Sequence, residues 1–313
     1  MSTDNTAPNV ICLMGPTASG KTDLATRLVE TFPCEIVSVD SALVYKGMDI
    51  GTAKPDETLL RKAPHRLINL IEPEESYSVA RFQKDAYREI EAIHQQGKIP
   101  LLVGGTMMYF NALMHGLAEL PDADPQIRAD LDGEMLQHGL HALHKQLAAI
   151  DPHAAARIHP NDAQRIQRAI EVWRITGQSL TALQAKAQAQ MPTYRFVQFG
   201  IAPADRKILH ERIAKRFHQM LEQGFVDEVE ELRSRPFLDK SMPSMRCVGY
   251  RQIWDYLEGI DTYDEMRHKG IVATRQLAKR QLTWLRSMSE LHWIQLETSI
   301  EKALEIIQPL VFD

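Results

Sequence analysis

Residues 15–22 read Gly15-Pro16-Thr17-Ala18-Ser19-Gly20-Lys21-Thr22 and satisfy G-x-x-x-x-G-K-[ST] at every fixed position. In such a loop the glycines let the backbone curl so that its N–H groups point at phosphate oxygens. Lys21 adds a positive charge, Thr22 offers a hydroxyl to a magnesium ion, and the helix that follows contributes its positive end. A pyrophosphate group is therefore expected here, whatever it is attached to. Asp40 closes the apolar run of VSVDSALVYKGMDIGTAKP, residues 37–55. A carboxylate at a strand end can ligate magnesium, act as a general base or cap the next turn. A third run, PLLVGGTMMYF, ends in Gly104-Gly105-Thr106, where an ATPase strand normally ends in an acidic residue. No acid is present, and the glycine pair implies a bulky group passing close to the backbone.

These residues need a scaffold that brings strand ends together. Apolar runs alternating with helical patterns indicate an α/β fold, a P-loop NTPase-like core with a mostly parallel sheet flanked by helices. Strands are expected at residues 9–14, 35–39, 66–71, 99–103, 194–202 and 291–297. Between the third and fourth lies an amphipathic helix with Ser78 as N-cap and Gly97 as its stop. The segment 118–194 has no strand-like run and reads as an all-helical insertion domain, which leaves 1–117 and 195–313 as the core. His138, His141 and His144 are spaced i, i+3, i+6 on an expected exposed helix, a pattern that fits solvated side chains better than a metal site.

Composition narrows the class. The 313 residues are 44% hydrophobic and 25% charged, as in ordinary soluble proteins. No apolar stretch approaches the ~20 residues of a membrane helix, and the polar start MSTDNTAPN lacks a leader's apolar core. The three cysteines have no C-x-x-C spacing, so a cytoplasmic location is expected. Nothing encodes an oligomer, and a monomer is the expectation. The net charge of −5 argues against a nucleic-acid partner, but it conceals a basic segment. Between Met266 and Ser289 no acid occurs, and Arg275, Lys279 and Arg286 fall near one line of a helix. Such a stripe suits phosphates, although a solvated basic face would look the same.

Taken together, GPTASGKT, VDSALVYKGMDIGTAKP, HRLINLIEP, LLVGGTMMYF, NDAQRIQRAIEV, MRCVGYRQIWDYL and ATRQLAKRQLTWLR span nearly the whole chain. In residues and order they resemble the tRNA dimethylallyltransferases, the tRNA isopentenyltransferase family. The resemblance implies transfer of a dimethylallyl group from dimethylallyl diphosphate to N6 of the adenosine just 3′ of the anticodon, with release of pyrophosphate. It makes Gly15–Thr22 the diphosphate loop, with Mg²⁺ on Thr22. Asp40 becomes the general base, and Lys21, Arg216 and Thr106 complete the catalytic group, with Arg212 an alternative to Arg216. Because a stacked adenine cannot reach a strand-end Asp, the base must be flipped out. Gly104-Gly105 would then give a channel room, with Tyr109 or Phe110 lining it.

The same resemblance assigns tRNA contacts to Asp40, Ser41, Ala42, Leu43, Thr106 and Arg128. It adds Gln164, Arg165, Ile166, Gln167 and Arg168 of the insertion, which would meet the anticodon stem. The remaining contacts are Arg246, Cys247, Val248, Gly249, Tyr250 and Arg251, then Lys279, Arg280, Gln281, Leu282, Thr283, Trp284, Leu285 and Arg286. Tyr250, beside cations, is a candidate base stacker. Two rival readings come from the residues alone. A P-loop kinase of a small metabolite explains the loop and Asp40, but leaves the basic helix unused. A nucleotide-gated RNA-binding module explains the basic segments, but not an acid beside the phosphate loop.

Overall fold

The computed structural model describes residues 7–118, 120–188, 192–298 and 300–311. Met1–Thr6 of the polar start, and residues 119 and 189–191 of the expected insertion, lie outside the described residues. The chain opens with β1 (Asn9–Met14), α1 (Lys21–Thr31), β2 (Cys34–Val39), α2 (Glu57–Lys62) and β3 (His65–Arg66). It continues through α3 (Val79–Gln95), β4 (Ile99–Gly104) and α4 (Met107–His115). Five helices follow: α5 (Pro125–His138), α6 (Leu140–Ile150), α7 (Pro152–Arg157), α8 (Ala163–Thr176) and α9 (Leu180–Gln188). Next come β5 (Arg195–Ala202), α10 (Arg206–Glu222), α11 (Phe225–Arg233) and a 3-10 turn at Ser244–Arg246. The last elements are α12 (Tyr250–Leu257), α13 (Tyr263–Arg286), β6 (Leu291–Gln295) and α14 (Ile300–Val311).

The six strands form one parallel sheet in the order β3-β2-β4-β1-β5-β6. Parallel strands are covered on both faces, so β1 reads as the unbroken apolar run VICLM, buried throughout. One core packs Leu24, Ala25 and Leu28 of α1 and Ala303, Ile307 and Val311 of α14 around Ile11, Leu13, Ile36, Leu101 and Phe199. Each of the larger side chains among them contributes roughly 1.5–3 kcal/mol through burial. A second core gathers Val44, Tyr45 and Met48 after β2 with Phe217, Phe225, Val229, Tyr250, Ile253 and Met266 from α10 to α13.

Helix ends follow local chemistry. Ser78 caps α3 by accepting the Arg81 N–H, and Gly97 just beyond the helix takes φ 71°. A capping box between Thr262 and Glu265 starts the 24-residue α13. The expected strand at 66–71 is shorter, because Leu67 (φ 61°) and Asn69 (φ 53°) adopt left-handed backbone that breaks the extended run. The segment turns instead onto the loop after β2, with the N–H groups of Asn69, Leu70 and Ile71 bonded to the carbonyls of Leu43 and Val44.

Two compact units are formed, Met1–Asn111 with Thr193–Asp313, and Ala112–Pro192. The second is helical, with a core of Leu131, Leu143, Leu147, Ile166, Ala169 and Ile170. Its buried Asp151 caps α7 through the Ala154 N–H and also accepts from the N–H and hydroxyl of Thr181.

Candidate active site

Strand register assembles the site. Gly104 of β4 pairs with Met14 of β1 on one side and Val39 of β2 on the other. The next residues of the three chains, Gly15, Asp40 and Gly105, therefore emerge side by side at the carboxyl edge of the sheet, where α/β folds bind ligands. The Gly15 N–H donates to the Gly104 carbonyl at 3.4 Å, and the Thr106 N–H to the Val39 carbonyl at 3.2 Å. Within the phosphate loop Gly20 has φ 77°, and Ala18 is held at φ 62°. A left-handed non-glycine residue costs about 1 kcal/mol, a strain that recurs at ligand-binding loops.

Lys21, Asp40 and Arg216 share this edge. Lys21 Nζ donates to the Pro16 carbonyl at 2.7 Å and to Ser19 Oγ at 3.4 Å. Burial pulls its pKa from 10.5 down to about 7; the Asp40 charge opposes the shift and the Arg216 charge adds to it. Burial likewise raises the Asp40 carboxyl, against the Ala42 N–H, Lys21, the Leu43 N–H and Arg216, all of which favour its charge. Burial lowers the Arg216 guanidinium, with Asp40 and Asp23 opposing. Two half-buried cations around one carboxylate leave an excess of positive charge, the condition a diphosphate relieves.

Of the two arginines left open by the sequence, Arg216 is the one whose charge acts on both Asp40 and Lys21. Arg212 lies next to the loop at Gly20, where a Cβ would be 3.7 Å from its Nη2. There it lines a cavity of about 120 Å³ with Ser19, Asp23, Ile294 and Ile300.

The turn after Asp40 is fixed locally. Asp40 Oδ1 accepts the Ala42 N–H at 2.9 Å, and Thr106 Oγ1 accepts the Ser41 N–H at 3.0 Å. Asp40 is thus both a turn cap and an ionisable group of the site. Cys247 approaches from the other end of the chain; burial pushes its thiol up to about 12, and the Asp40 charge adds to the effect.

Several sequence expectations need correction. The glycine pair makes no room for a channel. A Cβ at Gly104 would lie 2.0 Å from the Val39 carbonyl oxygen, and one at Gly105 would lie 2.4 Å from Gln281 Nε2. Protein already fills that space, and Phe110 is wholly buried core. Tyr250 cannot stack on a base: it is 0% exposed, edge-on to Phe225 at 4.9 Å, and its hydroxyl donates to Glu228 Oε1 at 2.6 Å. Leu282 and Leu285 are buried, and Ile166 belongs to the core of the second unit. Gln281, expected among the RNA contacts, is only 9% exposed and bonded internally. Arg246, Arg251, Lys279, Arg280, Thr283, Trp284 and Arg286 are exposed. Arg275 sits deeper on α13 than these, its Nε buried and without a hydrogen-bond partner.

Two residues central to this architecture were assigned no role from the sequence. Glu228 of α11 accepts the N–H groups of Asp49, Ile50 and Gly51 as well as the Tyr250 hydroxyl. Lys54, its side chain 4% exposed, joins the Tyr45 carbonyl, Asp49 and Asn69. Together they tie down residues 45–54 of the loop after β2. Lys54 lies within the VDSALVYKGMDIGTAKP segment, whereas nothing near Glu228 in the sequence signals its partners.

In the helical unit, Gln164 and Arg165 are exposed, and Gln167 Nε2 donates to Asp132. Arg128 and Arg168 both bind the buried Glu171, at 2.9 and 2.7 Å, and Arg168 also donates to the Pro121 carbonyl. Their charges are partly balanced within the unit. The three histidines do not share a helix: His138 ends α5, Gly139 breaks the chain at φ 79°, and His141 and His144 lie on α6. His144 Nε2 is hydrogen-bonded to the carbonyls of Ala155 and Ile158.

The donors at the phosphate loop suit magnesium. Thr22 lies exposed on the first turn of α1, and Mg²⁺ takes few protein oxygens when it also holds substrate phosphates. Among the described residues no group of three or more His, Cys, Asp or Glu could hold a metal by itself.

The chain is similar to proteins already known. A tRNA dimethylallyltransferase of Alkalilimnicola ehrlichii is 59% identical over 279 residues, covering 89% of this chain and 88% of that protein. The crystal structure of the full-length tRNA isopentenylpyrophosphate transferase from Bacillus halodurans is 37% identical with a TM-score of 0.71, over 97% of this chain and 95% of that one. The Staphylococcus epidermidis tRNA delta(2)-isopentenylpyrophosphate transferase is 35% identical with a TM-score of 0.69, over 97% of this chain and 99% of that one. The IPP transferase family model matches residues 43–288, and with this fold and these relatives the chain belongs to the IPP transferase family.

Proposed function

We propose that this protein transfers a dimethylallyl group from dimethylallyl diphosphate to N6 of the adenosine immediately 3′ of the anticodon in tRNA. The observation that carries the reading is the pairing of a phosphate loop with Asp40 at the next strand end but one, with no acid on β4 between them. An ATP-hydrolysing site wants an acid on that middle strand. A site that only expels diphosphate wants cations there, and a proton acceptor on the far side.

The step balances as follows. The allylic C1–O bond breaks and its electrons leave with pyrophosphate. The N6–C1 bond forms from the nitrogen lone pair, and the N6 proton passes to the Asp40 carboxylate. Loop N–H groups, Lys21 and Arg216 stabilise the charge gathering on the departing diphosphate. Thr22 would hold Mg²⁺ here, which when bound would supply positive charge to offset part of that on the diphosphate. Asp40 serves during attack, as positive charge builds on nitrogen, which is how a carboxylate acts as a general base. Thr106 and Ser41, linked by their own hydrogen bonds, would hold the flipped nucleotide beside it.

The exposed cations Arg246, Arg251, Lys279, Arg280 and Arg286 would take the anticodon loop, and the helical insertion would meet the stem through Gln164 and Arg165. That insertion is assigned residues 118–194, with the protein acting as a cytoplasmic monomer. No helix of the described residues is long and apolar enough to cross a membrane.

The test is incubation with unmodified tRNA, Mg²⁺ and dimethylallyl diphosphate without ATP, followed by nucleoside mass spectrometry. An adenosine heavier by one dimethylallyl group is expected. Unmodified tRNA, with ATP consumed on a small acceptor, would replace this reading with that of a metabolite kinase.

A further inference from the structure

Gln281 lies on α13 between the exposed cations Lys279, Arg280 and Arg286, yet its own side chain turns inward. Its Oε1 accepts the Thr17 N–H at 3.0 Å, inside the phosphate loop. Its Nε2 donates to the Gly105 carbonyl at 2.8 Å, at the end of β4. Both polar ends of the amide are used, and the partners lie 264 and 176 residues away. The fit is close on the other side as well, because a Cβ at Gly105 would meet Nε2 at 2.4 Å.

We propose that Gln281 is a positioning residue for the diphosphate loop rather than an RNA contact. The inference rests on the proposed dimethylallyl transfer only in naming the bound group. A phosphate loop binds because its N–H groups are aimed before the ligand arrives, and Ala18 beside Thr17 is held in a left-handed conformation. An isolated loop would relax out of that shape. The Thr17 N–H, tethered to a long helix, and the Gly105 carbonyl, tethered to the same amide, keep the loop and the end of β4 at a set separation. Gly105 has no side chain because the Gln281 amide occupies that position. A bond of this kind supports the conformation that binds diphosphate, so its loss raises the diphosphate Kd and leaves the exposed cations of α13 unchanged.

The experiment titrates inorganic pyrophosphate with Mg²⁺ into the full-length protein by calorimetry, and an anticodon stem-loop RNA by fluorescence anisotropy. Gln281→Leu should weaken pyrophosphate binding roughly tenfold, the size of one to two net hydrogen bonds, with RNA affinity within twofold of the parent. In turnover the loss should fall on the KM for dimethylallyl diphosphate more than on that for tRNA. Gly105→Ala, which leaves Gln281 in place but displaces its amide, should shift pyrophosphate in the same direction. It carries the comparison alone should Gln281→Leu fail to fold. Unchanged pyrophosphate affinity in these variants, or a fall confined to RNA, overturns the proposal. A parent protein that binds no pyrophosphate at all would instead overturn the dimethylallyl reading.

Discussion

Asp40 and Lys21 share the carboxyl edge of the sheet, each partly desolvated and each, through its charge, opposing the shift that burial imposes on the other. Their strands are separated only by β4, whose last residues carry no charge. The pair therefore divides the site into a cationic side for a leaving anion and a basic side for a proton.

Replacing Asp40 by Ala should lower kcat by about 10²–10⁴-fold, the usual span of a general base, with anticodon stem-loop affinity little changed. Asp40 also accepts the Ala42 N–H, so Asp40→Asn, which can still accept it, should lose rate to a similar extent. Parallel loss of RNA affinity in both variants would make Asp40 a binding residue instead.

Lys21 sets a pH dependence. Its folded pKa, about 7, lies below the ordinary 10.5, so the free protein loses this cation as pH rises through 7. A bound diphosphate favours the charged amine, and binding should take up a proton in that range. Pyrophosphate affinity should fall with rising pH in the parent more steeply than in Lys21→Arg, whose guanidinium does not titrate there. Asp40 acts in the opposite sense. Its raised pKa means that turnover falls on the acid side as the carboxylate is protonated. A kcat/KM profile with both limbs is expected, its acid limb missing in Asp40→Asn.

Lys279 and Arg280 stand exposed on α13. Changing both to Ala should weaken RNA binding and make the slope of log Kd against log salt shallower by about 1–2, following counterion release per phosphate contact. An identical slope would remove this helix face from the interface.

Tyr250→Phe separates a packing residue from a stacking one. Loss of the bond to Glu228 should cost about 1 kcal/mol of stability in urea unfolding, with RNA affinity unchanged. Glu228→Ala should cost more, since the N–H groups of Asp49, Ile50 and Gly51 also lose their acceptor. A Tyr250→Phe variant of unaltered stability but weaker RNA binding would contradict the burial described above.

Local pattern determined much of this protein. The phosphate loop, the apolar parallel strands, the cap at Ser78 and the all-helical stretch are each written within a few consecutive residues, because hydrogen bonding along a helix or loop and burial of a strand are short-range demands. That Asp40 ends a strand at the same sheet edge as Gly15–Thr22 was legible too, but sequence order suggested adjacent strands, whereas β4 lies between β2 and β1. Tertiary structure decided what side chains do once distant segments meet. Tyr250, Leu282 and Leu285 sit among cations in sequence but turn into the core, since a helix one face of which is basic must bury another. Leu67 and Asn69 turn left-handed to pair with the loop after β2, which no run of apolar residues announces. Gln281, between two basic neighbours and a leucine, reads as surface until the phosphate loop, 264 residues earlier, packs against it. A contact at that separation leaves no periodicity in the chain, and only the folded sheet and α13 together bring the donor and acceptor to 3.0 Å.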